Sequence, residues 1–139
     1  MEGLIDRFDE EAIRSILTEL TYKVIDSRIS RTGKPTISVE ADPLAFEITG
    51  EDCSGAGADQ KCNGVQLSVY IPPGASVDVD ELIATSNRTI RPAKVFMVGD
   101  NVVYERYLIM DGGVSRENLM TEISVYVEIL DALFPRFSP

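Results

Sequence analysis

The sequence predicts an α+β fold: three helices with a five-stranded antiparallel sheet, in the order α-β-β-β-α-β-β-α, as a single domain spanning residues 1–139. Three observations carry this. Several short segments alternate apolar and polar residues with period two and are joined by turn-forming residues. Amphipathic stretches of helical period lie near both ends of the chain. Between the last apolar strand and the terminal helix lies the turn Asp111-Gly112-Gly113-Val114-Ser115, which stops one element and starts the next.

The first helix runs from Phe8 to Leu20. Asp9 is placed to cap it, Glu10 and Glu11 sit in its electropositive first turn, and Ala12, Ile13, Ile16, Leu17 and Leu20 form its apolar stripe. Thr21 to Ile29 is ambiguous; Tyr22, Val24 and Ile25 suggest a short edge strand that does not enter the count of five. Thr36–Glu40 and Leu44–Thr49 alternate on either side of the Asp42-Pro43 turn and read as a hairpin. Gly50 to Gly64 is glycine-rich and poor in apolar residues, so it reads as a loop, and Val65–Ile71 then alternates until Pro72-Pro73-Gly74 stops it.

Asp78, with Glu81 three residues on, marks the start of a short helix to about Arg88 that buries Val79, Leu82 and Ile83. Pro92 blocks its continuation. Ala93–Val98 and Val102–Met110 are two strands joined at Gly99-Asp100-Asn101. Ser115 caps the final helix, and Pro135 is expected to end it. The main stripe of that helix is Leu119, Ile123, Tyr126, Leu130 and Leu133. Met120, Val127 and Phe134, spaced seven apart, widen it beyond what packing on one sheet face requires, which makes those three the candidate face for a second chain.

Composition narrows function more by exclusion than by assignment. The 139 residues carry a formal charge of −10, which disfavours phosphate backbones and anionic membranes; no nucleic acid and no membrane partner is expected. No apolar run approaches the roughly 20 residues of a spanning helix. The N-terminus lacks a basic stretch followed by an apolar one, so a cytoplasmic location is expected. There is no histidine, which removes Ser-His-Asp and Cys-His catalysis and every His-containing metal site.

Cys53 and Cys62, nine positions apart in the glycine-rich segment, leave several readings open: a structural disulfide, two idle thiols, a redox pair, or part of a metal site for which one chain lacks the usual ligands. The same segment lacks a Gly-Lys-Ser/Thr and leads into a strand, so it does not read as a phosphate cradle. The acidic residues beside turns, Asp78, Asp80, Asp100 and Asp111, are explained by local hydrogen bonding. No catalytic residue, metal or cofactor is nominated.

Three stretches resemble the YbjN family of bacterial proteins, whose members are described as regulators of sensory transduction. They are Leu82-Ile83-Ala84-Thr85-Ser86-Asn87-Arg88, then Ala93-Lys94-Val95-Phe96-Met97, then Tyr107-Leu108-Ile109-Met110-Asp111-Gly112-Gly113-Val114-Ser115. Asn87, Arg88, Asp111, Gly112, Gly113 and Ser115 carry the family motif, and the segment Cys62-Asn63-Gly64-Val65-Gln66-Leu67 is similar to a cysteine-containing loop and strand of some members. The resemblance covers roughly residues 9 to 134. Ser86, where members often have an aromatic residue, and the short turn at Gly99-Asp100-Asn101 depart from the pattern. It implies the fold of type III secretion chaperones, often dimeric, and no catalytic residues.

The expected function is therefore a non-catalytic, chaperone-like or regulatory protein-binding domain forming a homodimer, with a protein partner or client. The alternatives are a small-ligand sensor binding between sheet and helices, or a thiol redox switch through Cys53 and Cys62.

Overall fold

The structure is a computed structural model that describes residues 3–89 and 93–139. Its elements run β1 (Leu4–Ile5), α1 (Glu10–Glu19), β2 (Lys23–Ile29), β3 (Pro35–Ala41), β4 (Leu44–Ser54), β5 (Lys61–Ile71), α2 (Val79–Thr89), β6 (Lys94–Val98), β7 (Asn101–Ile109), β8 (Val114–Ser115) and α3 (Arg116–Phe137). Strands β2-β3-β4-β5-β7-β6, in that order, form one antiparallel sheet, and β1 pairs with β8 in a two-stranded ribbon. The α+β class holds, but the main sheet has six strands rather than five, and the small ribbon is additional.

The sixth strand is the ambiguous Thr21–Ile29 segment. The register shifts between Val24 and Asp26, so Ile25 is an extra residue in the ladder and interrupts the period-two signal that would have revealed a strand. The glycine-rich segment also differs from a long loop. Strands β4 and β5 extend deep into it and keep register from Glu47↔Ser68 to Ser54↔Lys61, leaving only residues 55–60 as the turn. Pairing supplies the backbone partners that the weak side-chain pattern did not announce.

The caps fall where the side chains placed them. Asp9 accepts from the Ala12 N–H at 3.1 Å, Asp78 from the Glu81 N–H at 3.2 Å, and Ser115 from the Asn118 N–H at 3.0 Å. Pro92 lies outside the described residues. Pro135 does not end the last helix: α3 continues to Phe137. The proline falls in the final turn, where few helical bonds remain to be lost. Phe137 is fully buried, and its carbonyl accepts from the Gly74 N–H at 2.8 Å, which holds that turn in place.

All three helices contribute to one core on one side of the sheet. Ile13, Ile16 and Leu17 of α1, Ile37, Val39, Ile48 and Leu67 of the sheet, and Leu119, Ile123 and Leu130 of α3 are fully buried in it. Helix α2 is anchored less deeply. Val79, Leu82 and Ile83 are only partly buried against the core, and Ser86 is its one buried residue.

Candidate functional site

With the helices on one side, the opposite face of the sheet is left to solvent. Cross-strand register arranges its side chains in rows. Ser38, Glu47, Ser68, Glu105 and Lys94 are successive partners across β3, β4, β5, β7 and β6. Thr36, Thr49, Gln66 and Tyr107 make the next row. Ion pairs stud this face, among them Arg28 with Glu47, Lys34 with Glu51 at 2.6 Å, and Lys94 with Glu105 at 3.1 Å. Between them Tyr70 is 55% exposed and Ile109 71% exposed. An open sheet face carrying large aromatic and aliphatic groups among paired charges has the make-up of a contact surface rather than of a reaction centre.

Tyr107 is held down on that face by Gly64. A Cβ at Gly64 would lie 2.1 Å from the Tyr107 hydroxyl oxygen, so only glycine lets the ring lie across β5. Burial raises the Tyr107 pKa above its ordinary value, with the negative charges of Asp52 and Glu51 adding to the effect. Sequence reading had passed over this pair because Gly64 looked like a loop residue.

Cys53 and Cys62 stand directly opposite one another on β4 and β5 and form a disulfide, with Cα atoms 3.8 Å apart. Cys62 is buried, packed beside Gly50 and Pro35. The bridge closes a hairpin whose strands are already paired, so it braces the end of the sheet. Among the described residues no group of three or more Cys, Asp or Glu side chains is placed to hold a metal ion.

The residues that carried the family pattern are dispersed, and each has a backbone task. The Asn87 side-chain amide donates to the Val95 carbonyl and its oxygen accepts from the Val95 N–H, both at 2.8 Å. Asn87 therefore imitates a neighbouring strand and closes the outer edge of β6 at that point. Arg88 reaches only the Thr85 hydroxyl, at 3.3 Å, from an exposed position. Asp111 is exposed in the turn. Gly112 and Gly113 both have positive φ, and a Cβ at Gly113 would lie 2.9 Å from Leu4, so that glycine also admits β1 beside β8.

The apolar width of α3 is absorbed within the chain. Met120 and Phe134 are partly buried against the core and Val127 is only 9% exposed. Helices α1 and α2 both contact α3, so it needs apolar residues on its flanks as well as on its sheet-facing side. These three residues are thus covered in large part by the chain itself.

Under α3, Tyr104 and Tyr126 stack with ring centroids 4.3 Å apart. The Tyr104 hydroxyl donates to the Tyr126 carbonyl at 3.1 Å, and the Tyr126 hydroxyl donates to the Tyr104 carbonyl at 2.8 Å. Burial raises both pKa values. The cleft beside them, flanked by the Arg106–Glu122 ion pair at 2.9 Å, has a volume of about 50 Å³. A benzene-sized guest needs a cavity of roughly 150 Å³.

The fold and this surface define an α+β domain with one helix-covered and one open sheet face. The chain belongs to the YbjN family, described as "Putative bacterial sensory transduction regulator", whose family model matches residues 9–139. No curated protein matches it. Among the described residues, no helix is long and apolar enough to cross a membrane.

Proposed function

We propose that this chain is a non-catalytic regulatory or chaperone-like domain that binds another protein through the open face of its sheet and works as a homodimer. One observation carries the reading: Tyr70, Tyr107 and Ile109 stand on a sheet face that no helix covers among the described residues, interleaved with the ion pairs of Arg28, Lys34 and Lys94. Aromatic anchors with a polar surround are what a protein partner can desolvate. The charge of −10 favours partners with a basic surface over nucleic acid or membrane.

A photo-crosslinking residue at Tyr70 tests this against the same residue at exposed Glu128 on the helical side. Discrete protein crosslinks from position 70 and none from 128 support the reading; no crosslink from 70, or identical ones from both, overturns it. The cleft under α3 is too small to serve the small-ligand alternative, which would need the wider groove between the β3–β4 turn and α3, lined by Tyr22, Leu44, Val127 and Asp131.

The redox alternative keeps one specific observation, the Cys53–Cys62 bridge. In a reducing compartment such as the cytoplasm, that pair would be reduced for most of its life, and oxidation would be the signal. Trapping thiols with an alkylating agent directly in cells measures the bridged fraction. A bridge that stays fully formed there argues for an oxidising compartment.

A further inference from the structure

The two edges of the main sheet are treated differently. The β6 edge is closed at Val95 by the Asn87 amide, whereas β2, at the other end, has no strand beyond it among the described residues. On β2, Ile25 is 53% exposed and Ile29 65% exposed, an unusual pair of apolar residues for an unguarded edge. The Ser30 N–H donates to the Lys34 carbonyl at 2.8 Å, which sets the phase of the ladder. Counting back by the two-residue alternation of antiparallel pairing turns the backbone N–H and C=O of Ser27 and Ile29 away from β3.

We propose that β2 is the dimer interface: two copies pair their β2 strands antiparallel about a two-fold axis through Ser27, joining two six-stranded sheets into one. This rests on the homodimer reading above and specifies its surface. The register is self-complementary. With Ser27 opposite itself, Asp26 meets the partner copy's Arg28 twice, on the open face where both side chains stand. Asp26 and Arg28 then occupy the non-hydrogen-bonded positions, where facing side chains come closest. Within one chain Asp26 already lies 3.3 Å from Arg28, whose guanidinium also holds Glu47 and the Ser38 hydroxyl, so the arginine is preset on the face where the second carboxylate would arrive. Sliding the register by one residue puts Asp26 against Ser27 or Ile29 of the other copy and loses the match.

Charge also singles out this strand. The chain as a whole carries −10, yet β2 holds Lys23 and Arg28 against Asp26, a local balance of +1. Two copies of so acidic a protein approach with least repulsion along such a strand. The paired segment centres on Asp26–Arg28, because the bulge at Ile25 interrupts the ladder and, farther out, Lys23 and Arg31 of the two copies would face each other.

The test is an exchange of charge read by light scattering and sedimentation. Asp26→Arg places two Arg-Arg contacts across the two-fold, and Arg28→Asp places two Asp-Asp contacts. Each is expected to weaken self-association at least about tenfold. Mixing the two variants restores both complementary contacts and is expected to yield a heterodimer, which neither forms alone. Circular dichroism confirms that each is folded, and Ile29→Lys, which leaves the charged pair intact, provides a second route to the same loss. A wild-type dimer whose affinity is unchanged in all three variants overturns the β2 interface while leaving the homodimer reading standing. A wild-type monomer at every accessible concentration overturns both.

Discussion

Replacing Asn87 isolates what the family's Asn-Arg pair does in this fold. Its amide makes two hydrogen bonds of 2.8 Å to the backbone of a single residue, Val95, which is 2% exposed. Asn87→Ala removes both and leaves a backbone donor and acceptor at the sheet edge. A hydrogen bond of this kind contributes roughly 0.5–1.5 kcal/mol net, and solvent can reach the exposed side of Asn87, so the loss should be about 1–2 kcal/mol. Asn87→Asp is the sharper variant. Its carboxylate can still accept from the Val95 N–H but has nothing to donate to the Val95 carbonyl, and it sets two oxygens against each other. It should therefore be no more stable than the alanine variant, despite being nearly isosteric with asparagine. Urea unfolding followed by circular dichroism measures this; with a slope of about 1.5 kcal/mol/M for a domain of this size, the midpoint should fall by about 1 M. If Asn87→Asp matches wild type, or Asn87→Ala costs less than about 0.5 kcal/mol, then Asn87 is not the closure of the β6 edge and its place in the family pattern has another cause.

Gly64→Ala should cost about 1 kcal/mol by lifting the Tyr107 ring off β5, and the cost should largely vanish in a Tyr107→Ala background, since the clash is with that side chain. Opening the Cys53–Cys62 bridge, by reductant or by Cys53→Ser with Cys62→Ser, releases a short loop whose closure entropy corresponds to about 2–3 kcal/mol; the melting temperature should drop by about 6–10 °C, and a drop under about 2 °C would show that the paired strands alone hold this end of the sheet. Tyr126→Phe should destabilise by about 1 kcal/mol through the loss of its bond to the Tyr104 carbonyl, measured by the same urea titration. The raised pKa values of Tyr104 and Tyr126 mean that above about pH 10 the unfolded chain releases protons the native state retains, so stability is complete below that pH and declines as pH rises. Ultraviolet titration should accordingly show two of the five tyrosines ionising only as the fold opens.

Local chemistry was legible wherever a side chain acts on its own backbone. Asp9, Asp78 and Ser115 cap because a short oxygen-bearing side chain beside exposed N–H groups has little else to do. The period-two segments became strands for an equally local reason, since alternation is what a sheet with one buried face demands. Thr21–Ile29 escaped because one bulged residue inverts the phase of everything after it. The extent of β4 and β5 escaped because glycines 50 and 64 read as loop while their backbone groups had partners distant in sequence. Of the candidate site, the cysteines were legible as a pair without a state, whereas the open face was invisible: its rows draw single residues from strands far apart along the chain.

The sequence by itself determined the α+β class, the caps, most of the strand alternation and the absence of any histidine-based chemistry, because composition and period are properties of neighbouring residues. Tertiary structure decided where the apolar width of α3 goes. The width that Met120, Val127 and Phe134 add is taken up largely by packing within the chain, and the most exposed apolar residues, Ile25, Ile29, Tyr70 and Ile109, stand on the far side of the sheet and along β2. A stripe's width says how much surface must leave water, not which element will cover it; that depends on how the helices pack in three dimensions.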